Sequence, residues 1–124
     1  MMIRSYKDLD VWKRSVELVK SIYLITKSFP KDEIYGLVNQ MRRCAISISS
    51  NIAEGAGRNS NKDFIRFLSI AIGSSFELES QLIISEKLKF ISSDDLVKIV
   101  NHIHQIQNMI YKLQESIQEK ILIT

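Results

Sequence analysis

The chain has 124 residues, a net charge of +3, 45% hydrophobic residues, one proline, four glycines and one cysteine. Its length predicts a single domain with its own core, and the scarcity of turn residues favours helices over a β-sandwich or barrel. No run reaches the ~18 consecutive apolar residues of a membrane-spanning helix. The single cysteine, Cys44, excludes an internal disulfide. Together with an N-terminus that lacks the apolar segment of a secretory signal, these features predict a cytoplasmic protein with no membrane partner.

The positive charge is concentrated in the first half of the chain. Residues 1–66 hold 12 Lys and Arg against 7 Asp and Glu, whereas residues 67–124 hold 5 against 7. Such asymmetry is typical of a protein with one side facing a polyanion, although a folded bundle interleaves the two halves.

The first predicted helix spans about residues 9–29, after a lead-in over residues 1–8 in which Asp8 or Asp10 serves as N-cap. It carries two apolar stripes at helical spacing, and a core needs only one of them. The first stripe contains Leu9, Trp12, Val16, Val19, Tyr23 and Thr26. The second contains Val11, Leu18, Ile22, Ile25 and Phe29. One stripe therefore needs a cover other than the core.

Pro30 ends this helix, and a second predicted helix covers about residues 32–56. Its inward positions repeat at helical spacing; they are Ile34, Leu37, Val38, Met41, Ala45, Ile48 and Ile52. At ~100° per residue, a polar set projects from the opposite side; it contains Arg43, Ser47, Ser50 and Glu54. Gly57 is expected to be a left-handed C-cap.

The third predicted helix covers about residues 61–88, with Ser60 as N-cap and Asp63 in the capping-box position. Its inward positions are Phe64, Phe67, Leu68, Ala71, Ser75, Leu78 and Leu82. Its opposite side lacks the Lys- and Glu-rich character of a solvated face; it contains Ile70, Gly73, Glu77, Ser80 and Ile84. Gly73 costs ~1 kcal/mol relative to alanine inside a helix, so we expect a neighbour to approach it closely.

The fourth predicted helix covers about residues 93–122, is capped by Ser92 or Ser93, and carries a heptad pattern from Leu96 to Ile121. Four long helices with short connections predict an all-α, antiparallel up-down-up-down four-helix bundle. The bundle is expected to form one domain over residues 1–124.

Several segments together resemble a known family. They are Gln40–Arg43 (QMRR), Ser49–Gly55 (SSNIAEG), Phe67–Glu79 (FLSIAIGSSFELE), Tyr6–Trp12 (YKDLDVW), and the stretch from Phe29-Pro30 to Tyr35-Gly36-Leu37. On these residues, the chain resembles the bacterial four-helix-bundle proteins of the 23S rRNA intervening-sequence family over residues 5 to about 91. The fourth helix fits only by its pattern.

The resemblance implies a bundle that assembles into a ring-like homopentamer and an open reading frame found in insertions within 23S rRNA genes. It implies no catalytic residue. A related branch comprises accessory proteins of diversity-generating retroelements, which bind nucleic acid and a reverse transcriptase through basic surfaces. We therefore expect self-association, most simply as a pentamer, with RNA or a nucleoprotein as the candidate partner.

A first candidate site lies on the backs of the second and third helices. Interface or register pairing is predicted there for Arg43, Ser47, Ser50, Glu54, Gly73, Glu77 and Ser80. If these helices form an antiparallel hairpin turning near residues 59–60, Arg43 lies level with Glu77, and Glu54 lies level with Arg66 or Ile65. Ionic pairing across helices or subunits would fix the register; a ligand or nucleic-acid site at Arg43 is the alternative.

A second candidate site is basic, because Lys and Arg that neutralise phosphates give affinity without sequence readout. Nucleic-acid binding is predicted for Arg4, Lys7, Lys13, Arg14, Arg42, Arg58, Lys62 and Arg66. The alternative is an ordinary solvated surface, since these residues are scattered and no aromatic stacking platform is evident.

The remaining motifs favour structural roles. His102 and His104 point ~200° apart on a helix, so we expect no metal site there. Cys44 fits a buried thiol better than a nucleophile, and the stretch from Gly55 to Ser60 lacks the strand and lysine of a phosphate-binding loop. We expect no catalytic residue, cofactor or small-molecule substrate. The sequence thus predicts a non-enzymatic, oligomeric, RNA-associated accessory protein; the alternative is a protein-interaction scaffold without direct nucleic-acid binding.

Overall fold

The structure is a computed structural model that describes residues 5–123, with side chains described for residues 5–120. Arg4 and the side chain of Ile121 therefore lie outside the described residues. Within the described range the chain is helical and contains no strand, which confirms the all-α class. The four α-helices are α1 (Asp10–Thr26), α2 (Asn39–Ala56), α3 (Asn61–Lys87) and α4 (Ser93–Ile123).

Each α-helix packs mainly against two others: α1 and α3 each contact both α2 and α4. Residues far apart in the chain meet in opposite order along neighbouring helices. Arg42 near the start of α2 contacts Thr26 at the end of α1, and Gln107 of α4 donates to Ser75 of α3 at 2.9 Å. These contacts are compatible with the predicted antiparallel up-down-up-down arrangement.

The core is built from one apolar face of each helix. Its fully buried large side chains include Leu18, Ile22, Met41, Ile48, Ile52, Leu68, Leu78, Leu82, Ile103, Ile106 and Ile110. In α1 the second predicted stripe supplies this core, whereas Val16 and Tyr23 of the first stripe are 38% and 37% exposed. Leu9 and Thr26 of the first stripe are buried, so only its middle part is left open.

The N-terminus of α1 differs from the prediction. A single 3-10 turn, Tyr6–Asp8, precedes α1, and the Ser5 side chain accepts a hydrogen bond from the Lys7 backbone N–H at its start. Leu9 occupies the N-cap of α1 without a side-chain hydrogen bond. Neither Asp8 nor Asp10 is therefore the N-cap, because the extra turn already orders the chain before α1.

The α1–α2 connection is more irregular than predicted. A 3-10 turn, Lys31–Glu33, and a π-helical turn, Ile34–Val38, precede α2, and Gly36 breaks the helical path with φ −112° and ψ −110°. Because the path breaks there, the expected inward orientation of Ile34 is wrong, and this side chain is 50% exposed. Tyr35 beside it is 94% exposed.

The two remaining connections follow their caps. Ser60 accepts a hydrogen bond from the Asp63 N–H at 3.2 Å, and Ser92 accepts one from the Asp95 N–H at 3.1 Å, so both predicted serine caps form. Gly57 has φ −83° and is not the expected left-handed C-cap. The left-handed residue is Lys89, with φ 64°, after the end of α3.

By length and composition alone, α3 is apolar enough to cross a membrane. Its apolar residues, however, include the fully buried Leu68, Leu78 and Leu82 of the bundle core. A core helix of this kind passes the same compositional test.

Candidate interaction surfaces

The outer face of α2 and α3 is the side of the hairpin turned away from the core. It comprises the exposed residues Arg43, Ser50, Glu54, Ile70, Gly73, Glu77, Ser80 and Ile84. Ile70 and Ile84 are 41% and 47% exposed, and among these residues only Arg43 is cationic. The back of α3 therefore has the small and apolar character that the sequence predicts, and the back of α2 is polar, as predicted.

A polar groove of about 460 Å³ crosses this face between α2 and α3. Its lining residues are Tyr35, Asn39, Gln40, Arg43, Cys44, Ser47, Ser74 and Glu77. Sequence reasoning placed Arg43, Ser47 and Glu77 here and missed the others. Helical spacing from Arg43 would have found Gln40 and Asn39, whereas Tyr35 is brought in by the π-helical turn.

Arg43 and Glu77 line the same groove but do not pair with each other. Ion pairs within the described residues include Arg58–Glu54, Arg66–Asp63 and His104–Glu79, and none joins Arg43 to Glu77. Glu77 instead accepts a hydrogen bond from the Cys44 thiol at 2.8 Å. The predicted Arg43–Glu77 pairing is thus absent within one chain; pairing between subunits stays a prediction.

The thiol of Cys44 is held in its neutral form. Burial is the first cause that raises its pKa to about 12, and the hydrogen bond and negative charge of Glu77 add to the effect. A thiolate is the nucleophilic form of cysteine. Cys44 therefore fits the predicted role of a buried, unreactive thiol.

Below the groove, small polar side chains connect the two helices. The Ser47 and Ser74 hydroxyls lie 2.9 Å apart within hydrogen-bond distance, and the Asn51 amide donates to the Ser47 carbonyl oxygen at 2.8 Å. Together with Cys44–Glu77, the Ser47–Ser74 contact shows that the register of α2 and α3 is offset by one residue from the predicted level position of Arg43 with Glu77. Ser47 thus contacts α3 within the chain.

The offset also changes the partner of Glu54. Glu54 pairs with Arg58 four residues later at 3.2 Å, and Arg66 pairs with Asp63 at 3.7 Å. The expected level position of Glu54 with Arg66 or Ile65 therefore yields no ion pair in the described chain.

The two glycines on this hairpin lie in opposite environments. A Cβ atom at Gly55 would lie 2.8 Å from the Phe67 Cβ and 3.0 Å from Phe64 Cδ1, so α2 and α3 approach closely there. A Cβ at Gly73 would meet nothing within 4 Å. No part of the described chain explains Gly73, and the close neighbour predicted for it stays a prediction.

Five of the predicted basic residues lie toward the same end of the bundle. Arg42 of α2 contacts Thr26 of α1. Asp10 precedes Thr26 by as many residues as Arg58 follows Arg42. At equal rise per residue, the start of α1 therefore lies level with the α2–α3 turn, and the Tyr6–Asp8 turn packs on α2. We call this region the basic end; its residues are Lys7, Lys13, Arg58, Lys62 and Arg66.

Aromatic rings accompany these cations, which the sequence pattern did not reveal. The guanidinium groups of Arg58 and Arg66 both lie over the Phe67 ring, 4.9 Å and 4.5 Å from its centroid. Tyr6 and Trp12 form an edge-on pair with centroids 5.0 Å apart. Phe67, predicted to be a core residue, is half-buried beneath the two arginines. These contacts place rings beside the basic residues, but guanidinium groups cover the Phe67 ring, so they do not contradict the expected lack of a stacking platform.

Two other predicted basic residues are engaged within the chain. Arg42 donates through Nε to the Thr26 hydroxyl at 3.0 Å and lies 4.5 Å from the Tyr23 ring centroid. Arg14 donates to the Gln105 side chain at 3.2 Å. Arg14 and Lys13 also line a groove of about 680 Å³ between α1 and α4, together with Asp10 and Glu17. The carboxylates offset the positive charge of that groove.

The two histidines contact different helices. His104 Nε2 lies 3.2 Å from Glu79 of α3, whereas His102 is half-buried beside Arg14 and Glu17 of α1, and burial lowers its pKa. The described residues contain no cluster of three or more His, Cys, Asp or Glu able to hold a metal ion.

Comparison with known proteins finds a matching family and similar solved structures. The family described as "23S rRNA-intervening sequence protein" matches residues 7–112. The crystal structure of a protein of unknown function from the S23 ribosomal protein family of Bacteroides thetaiotaomicron is similar, with a TM-score of 0.76 and 24% identity over 85% of this chain and 95% of that one. At this identity the likeness shows the fold. No curated protein sequence matches the chain.

Proposed function

Because the chain belongs to the family of 23S rRNA-intervening sequence proteins, we propose that it is a non-enzymatic, homo-oligomeric accessory protein that associates with RNA. We propose a pentamer acting in the bacterial cytoplasm, bound to RNA or to a nucleoprotein. The relation to accessory proteins of diversity-generating retroelements stays a prediction from the sequence resemblance.

The basic end is the observation that carries the RNA proposal. Lys7, Lys62 and the pair Arg58 and Arg66 lie on elements that meet at one end of the bundle, next to half-buried aromatic rings. Cations supply affinity for phosphates, and aromatic and guanidinium planes supply stacking for unpaired bases. The ion pairs Arg58–Glu54 and Arg66–Asp63 are solvent-exposed and weak, so a phosphate can compete with these carboxylates.

The outer face supports the oligomer proposal. It offers exposed isoleucines and an uncovered glycine in place of a lysine-rich surface. In a ring of five, a net charge of +3 per chain becomes about +15, which multiplies a modest attraction for a polyanion.

The test is binding of a fluorescein-labelled single-stranded RNA, followed by anisotropy at increasing salt. We expect an affinity that falls by about tenfold or more between 50 and 200 mM salt, since each neutralised phosphate steepens the salt dependence. The double variant Lys7→Gln/Lys62→Gln should bind several-fold more weakly.

The matched control is Lys87→Gln/Lys89→Gln, which removes two lysines around the C-terminal end of α3, away from the basic end, and should bind RNA like the unaltered protein. Equal losses of RNA affinity in both double variants would contradict an RNA site at the basic end. Absence of salt-dependent binding would favour the alternative, a scaffold that contacts only proteins.

A further inference from the structure

We infer that Arg43 of one copy pairs with Glu77 of a neighbouring copy, where the outer faces of the copies meet. This inference rests on the proposed homo-oligomer and adds to it the residues and the face that join the copies.

Arg43 and Glu77 carry opposite charges, lie close together and remain unpaired. Both line the groove between α2 and α3. Within residues 5–120, no carboxylate pairs with the Arg43 guanidinium and no cation pairs with Glu77. Glu77 is instead oriented by the Cys44 thiol. Arg43 and Glu77 therefore form no salt bridge between α2 and α3 within the chain, and both charged groups face outward.

The charges of the outer face are complementary to those of a second copy. Glu54 is already paired with Arg58, so Arg43 and Glu77 are the two charges of the outer face without an ionic partner. One cation and one anion on the same small surface are matched by the same surface of a second copy. A nucleic acid would be attracted by Arg43 but repelled by Glu77, and would leave Ile70 and Ile84 uncovered.

In a ring, each copy contacts two neighbours. Because both charges line one groove, Arg43 can pair with one neighbour and Glu77 with the other only if both neighbours approach that groove. The outer face would therefore lie near the symmetry axis. Exposed ion pairs contribute little, but a pair that is desolvated in an interface and repeated around a ring affects assembly in every subunit contact.

The experiment measures assembly of Arg43→Glu, Glu77→Arg and the double variant by sedimentation velocity over a range of protein concentrations. Each single reversal places like charges opposite each other, so the concentration of half-assembly should rise at least about tenfold. The double variant should return to the unaltered value. A mixture of the two single variants should associate more strongly than either variant alone, which pairing within one chain does not predict. In a ring with an odd number of copies, one contact between like charges remains.

Lys98→Glu makes the same charge change on α4, away from the outer face, and should assemble normally. Circular dichroism reports whether each variant folds. If a reversal unfolds the chain, Arg43→Gln and Glu77→Gln replace it, and pairing predicts that the double neutral variant assembles no worse than either single one.

If the unaltered protein and both single variants assemble equally well, the pairing is overturned, whereas the proposed oligomer is not. Single variants that dissociate without rescue in the double variant would also overturn the pairing. A protein that is monomeric at every concentration would overturn both the pairing and the proposed oligomer.

Discussion

At the scale of single residues, Cys44 shows how a helical neighbour determines chemistry. Its pKa of about 12, against an ordinary 9.0, arises from burial first and from Glu77 second. At neutral pH the thiolate population is then lower by roughly a thousandfold than in the unfolded chain. We expect iodoacetamide to alkylate the native protein at least about 100-fold more slowly than the urea-unfolded protein. Asn59→Cys in a Cys44→Ala chain is exposed in the α2–α3 turn and should react rapidly; equal rates at both sites would contradict the buried thiol.

The raised pKa of Cys44 also predicts how the free energy of unfolding changes with pH. The folded state keeps the Cys44 proton above pH 9.0, where the unfolded state releases it, so unfolding becomes more favourable as pH rises from about 9 towards 12. We expect the stability of the unaltered protein, relative to Cys44→Ala, to fall across that range in urea titrations. A constant difference between the two proteins would show that the thiol pKa is not raised.

Residue-level pairing was the part of the site least accessible from sequence. Helical spacing correctly placed Arg43 and Glu77 on the backs of their helices. It could not fix the register of α2 against α3, because an apolar repeat is satisfied at several neighbouring offsets. The close approach at Gly55 and the Ser47–Ser74 contact set that register, and as a result Cys44, rather than Arg43, meets Glu77.

At the scale of elements, agreement between sequence and structure follows local signals. Helices α3 and α4 begin where Ser60 and Ser92 cap them, and their predicted bounds differ from the observed ones by a single residue. The start of α2 was misplaced, because the apolar spacing of residues 34–38 is equally compatible with an α-helix and with the π-helical turn that forms. Within residues 34–38, only Gly36 marks that turn in the sequence, and its conformation depends on the surrounding chain.

The two glycines of the α2–α3 hairpin make an element-scale prediction. Gly55→Ala should destabilise the fold by about 1–3 kcal/mol, because the added methyl group would overlap with Phe67 and with the Phe64 backbone. Gly73→Ala should stabilise the monomer by about 1 kcal/mol, because alanine is the better helix former and the site is open. Urea unfolding at low protein concentration measures both. A Gly73→Ala variant that is less stable than the unaltered protein would contradict the open environment of this glycine.

At the scale of the whole molecule, the outer face and the basic end lie on different parts of the bundle. Arg43 and Arg58 are both on or next to α2, about 22 Å apart at the helical rise per residue. Assembly through the outer face would therefore leave the basic ends free, and in a ring all of them would face the same side. Self-association and RNA binding would then be coupled, and the Arg58–Glu54 ion pair connects the two surfaces.

This coupling predicts that loss of assembly weakens RNA binding even when the basic end is unaltered. Gly73→Gln keeps the charge of +3 per chain and places a larger side chain on the outer face, so we expect it to dissociate the oligomer. A long RNA that spans several basic ends should then bind about 100-fold more weakly, because the multivalent contribution is lost. An RNA of roughly ten nucleotides, which reaches one basic end, should bind both proteins with similar affinity. Anisotropy titrations with the two RNAs measure the difference; equal affinity of the monomeric variant and the oligomer for the long RNA would show that the copies bind independently.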